Sequence, residues 1–336
     1  MTTAPKVGGE EAIIQGFLAP LALGYPGAFG LRDDCAAITP TPGHDLIVKT
    51  DPVAEGVHFS ADDAPEDIAW KALAVNVSDL AAKGARPLAY LMALSFPEPP
   101  TASWMQRFAQ GLGAAQAAFG MHLVGGDTDR RPGPITISIT VFGEVPAGTM
   151  VQRSTARAGD LIYVSGSLGS AAIGLLVRRD PALAGVWDLD DAQRAEVLGR
   201  LHRPQPRLQL GDPLRAYASA AMDLSDGLAK DLDRMCRVSG CGALLRLTDL
   251  PMSTGVAQLV AADPEHWTAV IASGDDYEVL ATVCPANAPA FESAVRAAAP
   301  GLPMSCIGAM VAGSGVIIAQ ADGRPLLLDR TGWEHF

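Results

Sequence analysis

Through the first 145 residues strand-like runs alternate with helix-like stretches, and several of the runs end at a carboxylate. DLIVKTD (45–51) is such a run, and DIAWKALAVNVSDLAAKGA (67–85) is a helix closed by a glycine stop at Gly84. PLAYLMALSFP (87–97) reads as a buried strand, and TASWMQRFAQGLGAAQAAFG (101–120) as a second helix with Thr101 or Ser103 as its N-cap. MHLVGGD (121–127) reads as a strand ending in a turn, while ITISITVFGEV (135–145) alternates with period two, as a half-buried strand does. A polar connector, PAGTMVQRSTARAGD (146–160), precedes a new strand–turn–helix unit, and the mixed rhythm resumes through AAMDLSDGLAKDLDRMCRVSG, ALLRLTDLPM, YEVLATVCP and SGVIIAQADG. The charged stretch at about 180–200 is expected to be an exposed helical insertion. The expectation is two mixed α/β domains, residues 1–148 and 149–336, which fits a prior of roughly 150 residues per domain.

Composition narrows the function classes. Apolar residues make up 49% and charged ones 18%, a profile that folds without staples. Acidic residues outnumber basic ones 37 to 25, for a net charge of −12, and no Lys/Arg-rich run forms the concentrated basic face that nucleic acid requires. No stretch of about 18 uncharged apolar residues occurs, and the N-terminus lacks the basic start and apolar core of a signal peptide. The five cysteines form no C-x-x-C pair, and their odd number suits a reducing compartment, so the expected location is cytoplasmic.

The functional signal lies in where the acids sit. Asp33 and Asp34 follow Gly30, Asp51 closes DLIVKTD, Asp79 lies on the first helix, Asp127 closes VGGD, and Asp223 and Asp226 bracket MDLSDG. Strand ends of this kind gather on one side of a sheet. Clustered carboxylates repel unless cations neutralise them, and hard oxygen ligands suit magnesium beside substrate phosphates. A turn or helix-cap role competes at each position, most directly at Asp226, which also suits a cap for GLAKDLDRM. GSLGSAAIG (166–174) lacks both the P-loop and the G-x-G-x-x-G spacings, so close helix–strand packing is its expected role. Gly126 beside Asp127 offers bare backbone to a nucleotide. No G-x-S-x-G elbow, zinc spacing or local cysteine signature appears, and His58 reads equally as a turn histidine or a ligand.

DDCAAI, KTDPVAEGVHF, WKALAVNVSDLAAKGARP, LVGGDTDR, RSTARAGDLIYVSGSLG, HRPQPR, MDLSDGLAKDLDRM, SGDDYEVL and GWEHF occur in the order seen in thiamine-monophosphate kinases, so residues 26–336 resemble that family. The resemblance implies an α/β fold with mixed α+β sheets: the two-domain aminoimidazole-ribonucleotide synthetase-like fold, its N-terminal domain forming a homodimer. It implies transfer of the terminal phosphoryl group of ATP directly onto thiamine monophosphate, with several Mg2+ ions and neither nucleic acid nor membrane as partner. It further implies magnesium ligands at Asp34, Thr50, Asp51, Asp79, Asp127, Asp223 and Asp226, and ATP contacts at Gly126, Asp127, Arg153 and Ser225. Thiamine contacts fall at His58, Asp275 and Trp333, and the catalytic set is Asp51, Asp127 and Arg153. An aromatic face such as Trp333 can stack on a cationic thiazolium.

The chain departs from the family at four places: Arg32 stands where Gly is common, Lys49 where Thr or Ser is, Lys83 where Met is, and Asp275 where Glu is. A protonated amine cannot ligate magnesium. Lys49 therefore either replaces one peripheral ion or points into solvent. Two other functions compete. A synthetase or dehydratase of the same superfamily is disfavoured because residues 1–34 hold no cysteine and the chain ends in GWEHF. A non-catalytic nucleotide- or thiamine-binding relative is disfavoured because the mutually repelling acids are kept.

Overall fold

The computed structural model describes residues 6–328 and 331–333. The chain divides into two compact units, Met1–Leu80 with Ala85–Gly148, and Ala81–Gly84 with Thr149–Phe336.

In the first unit the described strands β1 (His44–Ala54), β2 (Arg86–Phe96), β3 (His122–Arg130) and β4 (Thr136–Pro146) form one sheet in the order β1-β4-β2-β3. β4 runs antiparallel to both neighbours, and β2 and β3 are parallel. A parallel pair needs a long crossover, which the helix Ala102–Phe119 supplies. Thr101 is the N-cap, its Oγ1 accepting from the Trp104 amide at 3.2 Å, and Gly120 ends the helix at φ +67°. The period-two alternation of β4 buries Ile137, Ile139 and Val141 completely. Leu73 and Leu80 of the helix Pro65–Ala82, and Phe108 and Leu112 of Ala102–Phe119, are buried as fully. Burying each such side chain contributes roughly 1.5–3 kcal/mol over leaving it exposed. The two helices meet at Gly111, where a Cβ would stand 2.4 Å from Glu66 Cα, so only glycine permits this approach.

Two expectations about strand ends are corrected. β1 does not stop at Asp51 but continues to Ala54, and β3 does not stop at Asp127 but continues to Arg130. Pro52 lacks an N–H, and β1 is an edge strand, the place in a sheet where proline is tolerated. On β3, Thr128–Arg130 keep pairing with Leu94–Phe96 of β2. Asp51 and Asp127 therefore project from within strands. Asp223 does end its strand.

The other face of this sheet is open within the unit. Leu46 and Val48 on β1 are 39% and 55% exposed, and Phe142, directly opposite Val48, and Leu91 are half-buried.

In the second unit β5 (Leu161–Ser165), β6 (Ala218–Asp223), β7 (Gly242–Arg246), β8 (Val279–Val283), β9 (Met304–Val311) and β10 (Gly315–Ala319) form a sheet in the order β10-β7-β9-β5-β8-β6. β10 and β7 are parallel and the other neighbours antiparallel. Both faces are covered. Ile162 and Val164 pack with Ile173, Leu228, Leu232 and Met235 on one side, and Tyr163 with Phe291 and Val295 on the other. β8 is accordingly buried along its whole length and apolar except at Thr282.

The stretch at 180–200 is helical and mostly exposed, as expected, but it is also anchored on the unit. Its helix Asp191–His202 starts at a reciprocal Asp190–Gln193 capping box and buries Val197 and Leu201. Gly174 permits this contact: a Cβ there would lie 2.2 Å from the Val197 carbonyl oxygen. Gly174 thus serves helix–helix packing rather than the helix–strand packing expected, while Gly166 leaves room for the Glu278 side chain and Gly169 for Val270.

Candidate active site

In the first unit the expected residues gather at opposite edges of the sheet. At the β1 edge, Lys49 and Asp51 lie two residues apart and so face the same way. The Lys49 ammonium stands 3.0 Å from an Asp51 carboxylate oxygen and 2.8 Å from one of Asp79, so it does not point into solvent. Burial lowers its proton affinity, but the attraction of Asp79 and Asp51 outweighs this and holds Lys49 above the ordinary lysine range. The helix Pro65–Ala82 brings Asn76 and Asp79, three residues apart, to this edge on one helical face. The Asn76 side chain accepts from the Asp51 amide at 2.8 Å and donates to the Asp51 carbonyl at 3.3 Å, satisfying an edge-strand residue that has no neighbouring strand on that side. Thr50 faces the other way, its Oγ1 donating to the Ile139 carbonyl at 3.1 Å and accepting from Thr140. His58 sits in the turn after β1, its Nδ1 accepting from the Ala54 amide at 3.1 Å, and it acts electrostatically on Asp51. The turn reading of His58 is the one this contact bears out.

Gly126 and Asp127 lie at the β3 edge. Asp51, Ile139, Met92 and Gly126 occupy one row across the sheet, so three strand spacings of roughly 4.8 Å separate Asp51 from the Asp127 region. The turn Pro26–Leu31 packs on β3 and leads, through consecutive left-handed residues Phe29, Gly30 and Leu31, to Arg32, Asp33 and Asp34, all exposed. Among the described residues the Asp34 and Asp127 carboxylates are exposed and take part in no ion pair.

The second unit builds a compact turn. Ser225 and Asp226 follow β6, and both their amides donate to one carboxylate oxygen of Asp231 at 2.9 Å. Asp231 is wholly buried on the helix Leu228–Ser239; burial pushes its carboxyl up to about 6, against the pull of those two amides. Asp226 is therefore no helix cap. Its own carboxylate pairs with Arg234 at 2.5 Å and lies 3.7 Å from Lys230. Arg234 also donates to Asp231 at 2.8 Å, closing an Asp226–Arg234–Asp231 triad that sequence reasoning missed. Asp275, at φ +72°, donates its amide to the Ser225 carbonyl at 3.0 Å, and the Trp333 amide donates to the Asp226 carbonyl at 3.0 Å. Lys230 donates to the Trp333 carbonyl. Ser225, Asp226, Asp275 and Trp333 are thus brought together, with the indole 44% exposed. Arg153 is not among them. Its carbonyl accepts from Ser239, at the far end of a 12-residue helix about 18 Å long. Lys83 spends its ammonium on the Ala221 carbonyl at 2.6 Å.

A buried network supports the SGDDYEVL loop. Glu278 accepts from Arg207 of HRPQPR through both carboxylate oxygens and from Ser165 Oγ at 2.6 Å. One oxygen of the buried Asp276 accepts from the Gly169 amide at 2.9 Å, and its other oxygen has no hydrogen-bond partner among the described residues.

This pairing of domains has known counterparts. Residues 32–145 match the AIR synthase related protein N-terminal domain and residues 157–319 its C-terminal domain, which defines the class of protein. The thiamine-monophosphate kinase of Caulobacter vibrioides is 39% identical over 95% of this chain and 88% of its own. A crystal structure of the Stenotrophomonas maltophilia enzyme of that name superposes with a TM-score of 0.78, at 36% identity, covering 88% of this chain and 91% of its own. A ThiL complexed with AMPPCP and TMP superposes at 0.74, with 30% identity and 89% of each chain covered. The chain belongs to the thiamine-monophosphate kinase family.

Proposed function

We propose that this protein transfers the γ-phosphoryl group of ATP onto the phosphate of thiamine monophosphate, giving thiamine diphosphate and ADP. The observation that carries this reading is 39% identity to a thiamine-monophosphate kinase across 95% of the chain, both domains included. A phosphate oxygen of the acceptor attacks the γ-phosphorus in line, and the bond to the β,γ-bridging oxygen breaks. Such transfers run on positioning and charge neutralisation and need no protein nucleophile. Cys236 and Cys241 in particular are buried, and burial pushes the Cys236 thiol up to about 12, far from a thiolate.

In the first unit, Gly126 and Asp127 serve the ATP phosphates and His58 the thiamine moiety. In the second, Ser225 serves ATP, while Asp275 and the exposed Trp333 ring serve thiamine. Magnesium, when bound, supplies positive charge to the reacting phosphates. Asp34 and Asp127 suit it best, because their exposed carboxylates are hard oxygen donors that, among the described residues, take part in no ion pair. Asp226 suits it less, since Arg234 and Lys230 already neutralise it. Arg153 is exposed and contributes charge rather than a fixed contact. A reaction that consumes ATP, in a chain whose five cysteines are all free, belongs in the cytoplasm. Among the described residues no helix is long and apolar enough to cross a membrane.

A coupled assay tests this directly: ADP should be released with ATP, magnesium and thiamine monophosphate together, and not when the acceptor is left out. Saturable binding of both ligands without ADP release would favour a binding protein instead.

The open face of the first sheet supports a homodimer. Val48, on the edge strand β1 opposite Phe142, is the more exposed of its two exposed apolar residues, Leu46 and Val48. Val48→Glu is expected to turn a dimer into a monomer in sedimentation at about 10 μM, because a carboxylate cannot be buried there unpaired. A wild-type monomer, or a variant that still dimerises, would count against this face.

A further inference from the structure

Lys49 is where this chain and its family expectation part. Asp51 and Asp79 were expected to hold a metal ion, yet both carboxylates already converge on one ammonium, at 3.0 and 2.8 Å. The arrangement is built rather than incidental. β1 puts Lys49 and Asp51 on one face, Asn76 fixes the Asp51 main chain through both its N–H and its C=O, and Asp79 follows Asn76 by three residues on the same helical face. The lysine side chain is two-thirds covered, so its head cannot swing freely into water. A divalent ion bound by both carboxylates would stand against that ammonium, and a protonated amine has no lone pair to offer it. The pair does not fit a metal while Lys49 is present.

We infer that the Lys49 ammonium is a permanent, protein-borne cation for Asp51 and Asp79, and that this pair takes up no divalent ion. Lys49 acts as a positioning residue: it holds two acids together that would otherwise repel, whatever the magnesium concentration. This concerns the pair alone and does not depend on the substrate assignment, so it can fail while the proposed reaction stands.

The test is Mn2+ binding to the full-length protein without nucleotide, followed by electron paramagnetic resonance of the free ion. Asp79→Asn is expected to leave the number of ions bound per chain unchanged from wild type. Lys49→Met, which keeps the stem and removes the charge, is expected to bind one additional Mn2+ per chain, displaced by Mg2+ and lost again in Lys49→Met/Asp79→Asn. The same variant should gain more melting temperature from added Mg2+ than wild type does. A folded Lys49→Met protein with wild-type stoichiometry would overturn the inference, as would the loss of one ion in Asp79→Asn. Should Lys49→Met not fold, the Asp79→Asn measurement decides alone.

Discussion

Replacing Asp127 by asparagine is expected to lower kcat by about 10²–10³-fold and to leave the fold untouched. The size follows from what removal of one preorganised charge-stabilising group costs in other enzymes, about 3–4 kcal/mol of barrier. The selectivity follows from position. Asp127 is exposed at the β3 edge and, among the described residues, takes part in no ion pair, so its carboxylate contributes little to folding. Surface changes of this kind stay within about 0.5 kcal/mol, or roughly 1–2 °C in Tm for a domain of this size. Asp129 provides the control. It lies two residues along the same strand, on the same face and equally exposed, and Asp129→Asn should change kcat by less than about threefold. Equal losses in the two variants, or a large fall in Tm for Asp127→Asn, would remove Asp127 from the chemistry.

Much of this fold was legible because the signals were local. The alternation in ITISITVFGEV needs only period-two counting, and Gly84 and Gly120 mark helix ends because both adopt left-handed φ. The missed features were long-range. Asp51 read as a strand end, and only the sheet order shows that β1 is an edge that can carry Pro52. Asp231 was not singled out, yet it accepts two amides from the preceding turn. One hint was present, since it falls on the same face as the apolar Leu228, Leu232 and Met235. Glu278 announced itself more clearly: a carboxylate beginning the apolar run EVLATV needs a partner, and Arg207 supplies it from a motif 71 residues away. The site showed the same division. Residue types were readable from the sequence, but neither the row that puts Asp51 and Asp127 at opposite edges nor the capture of two acids by Lys49 was.

Gly126→Ala is expected to destabilise the first unit by about 2–6 kcal/mol, and Gly125→Ala by less than about 1. Gly126 adopts φ +153°, a backbone conformation that costs a non-glycine residue about 1–3 kcal/mol. A Cβ there would lie 1.8 Å from the carbonyl oxygen of Met92, its partner in the parallel β2–β3 ladder. That neighbour is backbone and cannot rotate away, so the strands must separate, and overpacking adds about 1–3 kcal/mol. At Gly125 the nearest contact is the Leu91 Cδ2 methyl at 3.1 Å, the far end of a flexible side chain, and no positive φ is required. A loss of this size should lower the melting of the first unit by roughly 4–20 °C, visible as an earlier transition in calorimetry. The pair also separates two reasons for glycine at position 126. If strand contact requires it, Tm falls and the KM for ATP of the surviving folded fraction at low temperature is unchanged. If nucleotide approach requires bare backbone there as well, that KM rises too. The 1.8 Å overlap is present without any ligand, so the fall in Tm is expected in either case.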